Sequence, residues 1–152
     1  RSGLSNVHPV VIAHENDAKV KRLAGKVDRV LIDAPCSGLG TLRRNPDMKW
    51  RQQPGDLSEL CARQYSILMS AARLPKPGGR LVYATCSLLA EENQAVVEQF
   101  LSAQTQYRLL PAHLIDEGPH PRQCIGVVFC DTKQRRHTAR DVQPLRIRDR
   151  AT

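Results

Sequence analysis

The sequence predicts an α/β domain built around a parallel sheet. Two apolar runs, "VDRVLIDAP" and "RLVYATC", read as buried strands, the first continuous enough to be covered on both faces. An amphipathic helical pattern follows each of them. The order strand, helix, strand, helix implies parallel pairing with helices on the faces of the sheet. A chain of 152 residues, 41% of them hydrophobic, is one domain's worth and long enough for a real core.

The elements follow in order along the chain. "HPVVIA" (His8 to Ala13) is a short apolar run after "GLSN" and reads as a first strand. "VDRVLIDAP" is the next. Asp56, with Glu59 three residues on, resembles a capping box that opens a helix. Leu57, Leu60, Cys61, Ile67, Leu68, Ala71 and Ala72 follow its 3.6-residue period, so Cys61 reads as core. "PKPGG" stops that helix and turns the chain. After "RLVYATC", the segment "AEENQAVVEQFLSA" is a second helix, with Val96, Val97, Phe100 and Leu101 on one face. Glu91 and Glu92 suit the start of that helix through its dipole. "IGVVFC" is a further candidate strand. Residues 131–152 carry seven basic and three acidic residues with almost no apolar pattern. The expected organisation is therefore a folded domain over 1–130 and a basic, disordered tail over 131–152.

Charge and cysteine usage narrow the function. The formal charge of +8 suits a polyanionic partner, nucleic acid first. Aromatics make up only 4%, which argues against a stacking platform for single strands. No apolar run approaches the roughly 20 residues that span a membrane, and "RSGLSNVHPV" lacks the pattern of a secretory signal. Five cysteines without a CxxC pair argue against a disulfide framework and for a reducing, cytoplasmic compartment. Cys124, Cys130 and His137 match no standard zinc spacing, so no metal is expected.

Cys36 and Cys86 each lie just past the end of a strand, beside Asp33. Ligands of open parallel sheets bind in the crevice at those ends, so both thiols are expected to face one cleft. At this level they read equally as a chemical pair or as two small buried hydrophobes. Gly38 and Gly40 are too few for a dinucleotide fingerprint and instead permit a sharp turn after Cys36. Arg43, Arg44 and Lys49 read either as phosphate contacts or as a solvated basic loop.

"DAPCSGLGTLRRNPDMKW" and "LVYATCSLLAEEN" resemble motifs IV and VI of the RsmB-like (Sun/Fmu) RNA cytosine-C5 methyltransferases, with "LPKPGG" between them. The resemblance runs from about Val10 to about Leu101. It implies a Rossmann-like fold, S-adenosylmethionine as cofactor, and RNA, ribosomal RNA first, as substrate. It maps the catalytic nucleophile onto Cys86, the cysteine that assists product release onto Cys36, and the acid beside the cofactor and target base onto Asp33. The chemistry is covalent: a thiolate adds to carbon 6 of cytosine and so makes carbon 5 nucleophilic. A free thiol with a pKa near ~8.5 is only a few per cent thiolate at neutral pH, so the site must lower that pKa or remove the proton during addition. The acid that the family has near the adenine has no clear counterpart among His14, Glu15, Asn16 and Asp17.

The resemblance also places the family's glycine-rich motif I, its ribose-binding acid and its activating lysine before residue 1. In the family's strand order, 3-2-1-4-5-7-6, the chain is expected to keep strands 3, 4 and 5 and to lack 1 and 2. Such an incomplete domain is expected to be inactive alone and to self-associate through exposed sheet edges. The alternative function is a non-catalytic methyltransferase remnant that at most binds RNA through its positive charge.

Overall fold

A parallel strand pair organises the fold. In a computed structural model, which describes residues 5–51, 53, 55–110 and 127–132, β1 (Val27–Asp33) pairs in parallel with β2 (Pro75–Ala84). The register is Val30 with Leu81, Ile32 with Tyr83 and Asp33 with Ala84. Short helices α1 (Ala18–Lys21) and α2 (Met48–Arg51) flank β1 in the chain. The crossover from β1 to β2 is α3 (Asp56–Ala71). After β2, one turn of π-helix (Glu91–Ala95) leads into α4 (Val96–Ala103). Strand β3 (Tyr107–Leu110) then pairs antiparallel with β4 (Val127–Thr132), which itself pairs antiparallel with β2.

The resulting order is β1-β2-β4-β3. It matches the last four positions of the family's order, 4-5-7-6, in a mixed sheet whose parallel part is β1–β2, so strands 4 and 5 are present as expected while, among the described residues, the expected strand 3 is not. The candidate strand "IGVVFC" is realised as β4, shifted to Val127–Thr132, so Asp131 and Thr132 belong to the sheet. The tail from residue 133 onward lies outside the described residues.

Several expectations are corrected. His8 to Ala13 is not a strand: Val10, Val11 and Ile12 are exposed. No described strand lies along the outer edge of β1, so this run has no ladder to join. Its backbone is tied locally instead, by Lys19 Nζ donating to Val11 O (2.9 Å) and Ala13 N donating to the Asp17 carboxylate (3.2 Å). Nor is β1 covered on both faces. Ile32 is buried while Leu31 remains 70% exposed, because α3 and α4 pack together on a single face. Ile32, Leu68, Leu81, Tyr83, Val96, Val97 and Phe100 form one core cluster there. Asp56 is the first residue of α3 and not its cap; its carboxylate accepts from Gln53 N at 2.8 Å. "PKPGG" does not end α3, which stops at Ala71. It forms the bulged start of β2: Val27 pairs with Pro75 and Arg29 with Arg80, so Lys76 to Gly79 leave the ladder. A side chain at Gly79 would place its Cβ 2.9 Å from Lys76 O and 3.0 Å from Asp28 O, so only glycine fits.

The helical face of the core was legible. Val96, Val97 and Phe100 are all buried, and Leu101 packs against them partly exposed. The Phe100 ring lies 5.2 Å from that of Tyr107, whose hydroxyl donates to Ala72 O at 2.6 Å. These contacts bind α4, β3 and the end of α3 into one unit. Phe100→Ala should therefore cost about 3–5 kcal/mol of stability, the range for a fully buried phenylalanine, read as a fall in the urea midpoint at unchanged slope.

Candidate active site: two cysteine–serine turns held together

The carboxyl ends of β1 and β2 bring the two candidate cysteines into contact. Cys36 Sγ lies 3.3 Å from Cys86 Sγ. The strand register delivers them: the ladder continues past Asp33 as Ala34 N donates to Ala84 O (2.9 Å). Gly40 N then donates to Cys86 O at 2.9 Å and pins one turn to the other. Gly38, at φ +72°, supplies the left-handed residue that lets the chain turn after Cys36. Both thiols are half-buried. Cys61, the third described cysteine, sits on α3 against the core and donates to Glu91 O at 3.4 Å.

The residue after each cysteine is a serine, and these two also meet. Ser37 Oγ lies 3.0 Å from Ser87 Oγ, and both side chains are buried. Beneath them lies the carboxylate of Glu92, fully buried. It accepts from Ser37 N (2.8 Å), from the Ser37 hydroxyl and from Gln64 Nε2 (2.9 Å). Ser87 also bonds it. Gln64 Nε2 donates as well to Pro35 O at 2.9 Å, holding the residue before Cys36. The neighbouring Asn93 donates to Ser87 O (3.0 Å) and Leu89 O (2.8 Å) and accepts from the Thr85 hydroxyl (2.6 Å). Glu92 and Asn93 thus serve the site rather than the helix dipole. Burial by itself would raise the pKa of Glu92. The hydrogen bonds from Ser37, Ser87 and Gln64 outweigh that and hold it below the ordinary carboxylate value.

The Cys86 thiol moves the other way. Burial first, then the bonded Cys36 thiol and the charge of Asp33, push its pKa up to about 11. Among the described residues, then, the Cys86 thiol is held in its protonated form at neutral pH. Asp33 itself is exposed at the end of β1, opposite Ala84. Arg43 and Arg44 are exposed on the loop beyond the turn Leu39–Thr41. Lys49 lies in α2, its side chain outside the described residues. Asp17 and Glu15 are engaged within the protein, Asp17 with the N–H groups of Ala13 and Lys19 and Glu15 with the Ser66 hydroxyl. Cys124, His137 and the side chain of Cys130 lie outside the described residues. Among the described residues no cluster of His, Cys, Asp or Glu could hold a metal ion, and no helix is long and apolar enough to cross a membrane.

A half-sheet of order 4-5-7-6, with two thiols at adjoining strand ends, matches part of a Rossmann-like methyltransferase fold. The family model described as 16S rRNA methyltransferase RsmB/F matches residues 3–127, and the chain belongs to that family. Its sequence is 51% identical over 85 residues to the probable ribosomal RNA small subunit methyltransferase B of Synechocystis sp., covering 56% of this chain and 19% of that protein. It is 49% identical over 88 residues to the ribosomal RNA small subunit methyltransferase B of Pasteurella multocida, covering 58% and 20%. The crystal structure of PH0851 superposes with a TM-score of 0.61 at 33% identity, over 73% of this chain and 27% of that one. The matched segment thus spans about a fifth of the length of these curated relatives.

Sequence reasoning missed Glu92, Gln64 and the serine pair. Two signals could have found them. Gln64 interrupts an apolar stripe, Leu60–Gln64–Leu68, at helical spacing, and the dipeptide Cys-Ser occurs at the end of both strands.

The two shifts set opposite pH limits. Cys86 holds its proton more tightly when folded, so its contribution to stability is present at neutral pH and lost as pH rises toward 11. Glu92 contributes above the ordinary carboxylate range and loses that contribution as pH falls below it. Iodoacetamide alkylation of Cys86, followed by peptide mapping across pH, should show a midpoint near 11, well above the ~8.5 of an unperturbed thiol.

Proposed function

We propose that this chain carries the nucleophile-bearing part of an S-adenosylmethionine-dependent ribosomal RNA cytosine-C5 methyltransferase, with Cys86 as nucleophile and Cys36 assisting product release. The observation that carries the reading is the contact of the two thiols, 3.3 Å apart at the ends of adjoining parallel strands. In the proposed reaction Cys86 passes its proton to a base in the cleft as its sulfur bonds to carbon 6 of cytosine. Carbon 5 becomes nucleophilic and gains a methyl group, a base takes the carbon-5 proton, and the electrons of that bond expel the Cys86 thiolate. Cys36 touches the same sulfur and is placed to assist this last step. S-adenosylmethionine, when bound, supplies the methyl group. The residues present fit one side of that cofactor's site: Asp33 offers an exposed carboxylate beside the thiols. With one side supplied, the isolated chain is proposed to be inactive. Exposed Arg43 and Arg44 are proposed to contact RNA phosphates. The outer edge of β1, unpaired among the described residues, and exposed Leu31 favour self-association.

The test grafts this chain's segment into the matching stretch of the Pasteurella multocida relative and compares two single mutants. Cys86→Ala should transfer no methyl group and form no covalent RNA adduct. Cys36→Ala should still add to cytosine and accumulate an adduct that survives denaturing electrophoresis. Adduct trapped by Cys86→Ala instead would reverse the roles. No adduct with either mutant, both still methylating, would remove the covalent route.

A second reading, a non-catalytic remnant that binds RNA electrostatically, is favoured by the charge of +8. In either reading RNA binding by the isolated chain should fall steeply as salt rises from about 50 to 200 mM, with little discrimination between sequences. Filter binding across that range measures it, and tight, salt-independent binding would contradict both.

A further inference from the structure

We infer that Glu92 is a positioning residue: its buried carboxylate clamps the turn carrying Cys36 to the turn carrying Cys86 and so sets the distance between the two thiols. The inference rests on the reading of those thiols as the reacting pair.

The geometry is a two-tier contact between segments fifty residues apart. The upper tier is sulfur on sulfur, Cys36 to Cys86 at 3.3 Å. The lower tier is hydroxyl on hydroxyl, Ser37 to Ser87 at 3.0 Å. The strand register and the Gly40 N to Cys86 O bond bring the turns together, but a sulfur contact of this kind is weak and a pair of hydroxyls little stronger, so neither fixes the side chains against each other. Glu92 adds an ionised acceptor below both, and hydrogen bonds to a charged group are roughly twice as strong as neutral ones. The proton accounting is specific. Ser37 donates both its N–H and its O–H to the carboxylate, so its oxygen is left to accept. Ser87 accepts from Leu89 N at 3.1 Å and so directs its own proton toward Ser37 or Glu92. Gln64 closes the third side by bonding Glu92 and Pro35 with one nitrogen. Glu92 is itself immobilised: its backbone oxygen accepts from the buried Tyr83 hydroxyl at 2.8 Å. A buried ionised group is costly unless it is paired or fully hydrogen-bonded, and this one is bonded to both cysteine turns and to Gln64, which itself holds Pro35.

The test uses the 152-residue chain itself and requires no methyl transfer, so it fails or succeeds separately from the proposed reaction. The chain is equilibrated in buffers of oxidised and reduced glutathione. Two thiols each give up a hydrogen, one oxidised glutathione becomes two reduced molecules, and one Cys36–Cys86 disulfide forms. Peptide mapping by mass spectrometry separates this pair from Cys61, Cys124 and Cys130. The unmodified chain should form Cys36–Cys86 in preference to other pairings. Glu92→Gln keeps the shape and removes the charge; it should lower the effective concentration of the two thiols by about tenfold or more, the scale of one charge-assisted hydrogen bond. Ser87→Ala, which removes one neutral hydroxyl, should lower it by about threefold to tenfold. Phe100→Leu weakens the far side of α4 and should leave the equilibrium unchanged, which separates positioning from a general loss of stability. Equal equilibria in the parent chain and in folded Glu92→Gln and Ser87→Ala would overturn the inference, as would no preferred Cys36–Cys86 pairing in the parent. If circular dichroism shows Glu92→Gln unfolded, Ser87→Ala decides.

Discussion

Everything in the site depends on the parallel register between β1 and β2, because no local interaction brings residues 36 and 86 together. The ladder aligns Asp33 with Ala84, then passes into the bonds Ala34 N to Ala84 O and Gly40 N to Cys86 O. Strand side chains alternate between faces, so a slip of one residue would turn Ile32 out of the core and carry the two turns out of step. The burial of Ile32, Leu81 and Tyr83 under α3 and α4 therefore does more than stabilise the sheet. It selects the register in which two thiols, two hydroxyls and one carboxylate coincide.

Beneath the thiols the core changes character. Ser37, Gln64, Ser87, Glu92 and Asn93 are all buried among apolar neighbours. Such a layer destabilises a fold unless its members satisfy one another. Here nearly every atom does, with Gln64 Oε1 the exception among the described residues. The π turn at Glu91–Ala95 places consecutive polar residues, Glu92 and Asn93, inward at the start of an otherwise apolar helix. Insertions of this kind in helices frequently accompany functional sites. Above that layer, burial first and then the bonded Cys36 thiol raise the Cys86 pKa. Rigid placement of the thiol and easy ionisation thus work against each other in this chain.

Much of the site could be read from the chain, and the reasons differ for each residue. Cys36 and Cys86 meet where the sequence put them, because two apolar runs marked the ends of adjoining parallel strands. Asp33 followed from the same argument. Glu92 was assigned to the helix dipole because acidic residues are ordinary at helix starts; only its contacts with Ser37, Ser87 and Gln64 reveal its work. Leu31 looked buried because a run of apolar residues carries no label for which face will be covered. The run His8 to Ala13 looked like a strand for the same reason, and it lacks the one thing a strand requires, a neighbouring ladder.

By itself the sequence determined the paired strands β1 and β2, the helices α3 and α4, the family and the position of two thiols at the strand ends, since those follow from periodicity and from motif IV and motif VI. Only the tertiary structure decided how those residues meet. Hydrogen-bond register put Cys36 against Cys86. One-sided helix packing left Leu31 open to solvent. The serines' approach turned Glu92 from a helix-start acid into the floor of the site. Each of these depends on contacts across fifty residues of chain or more, or on which surfaces are covered, and neither is encoded in local pattern.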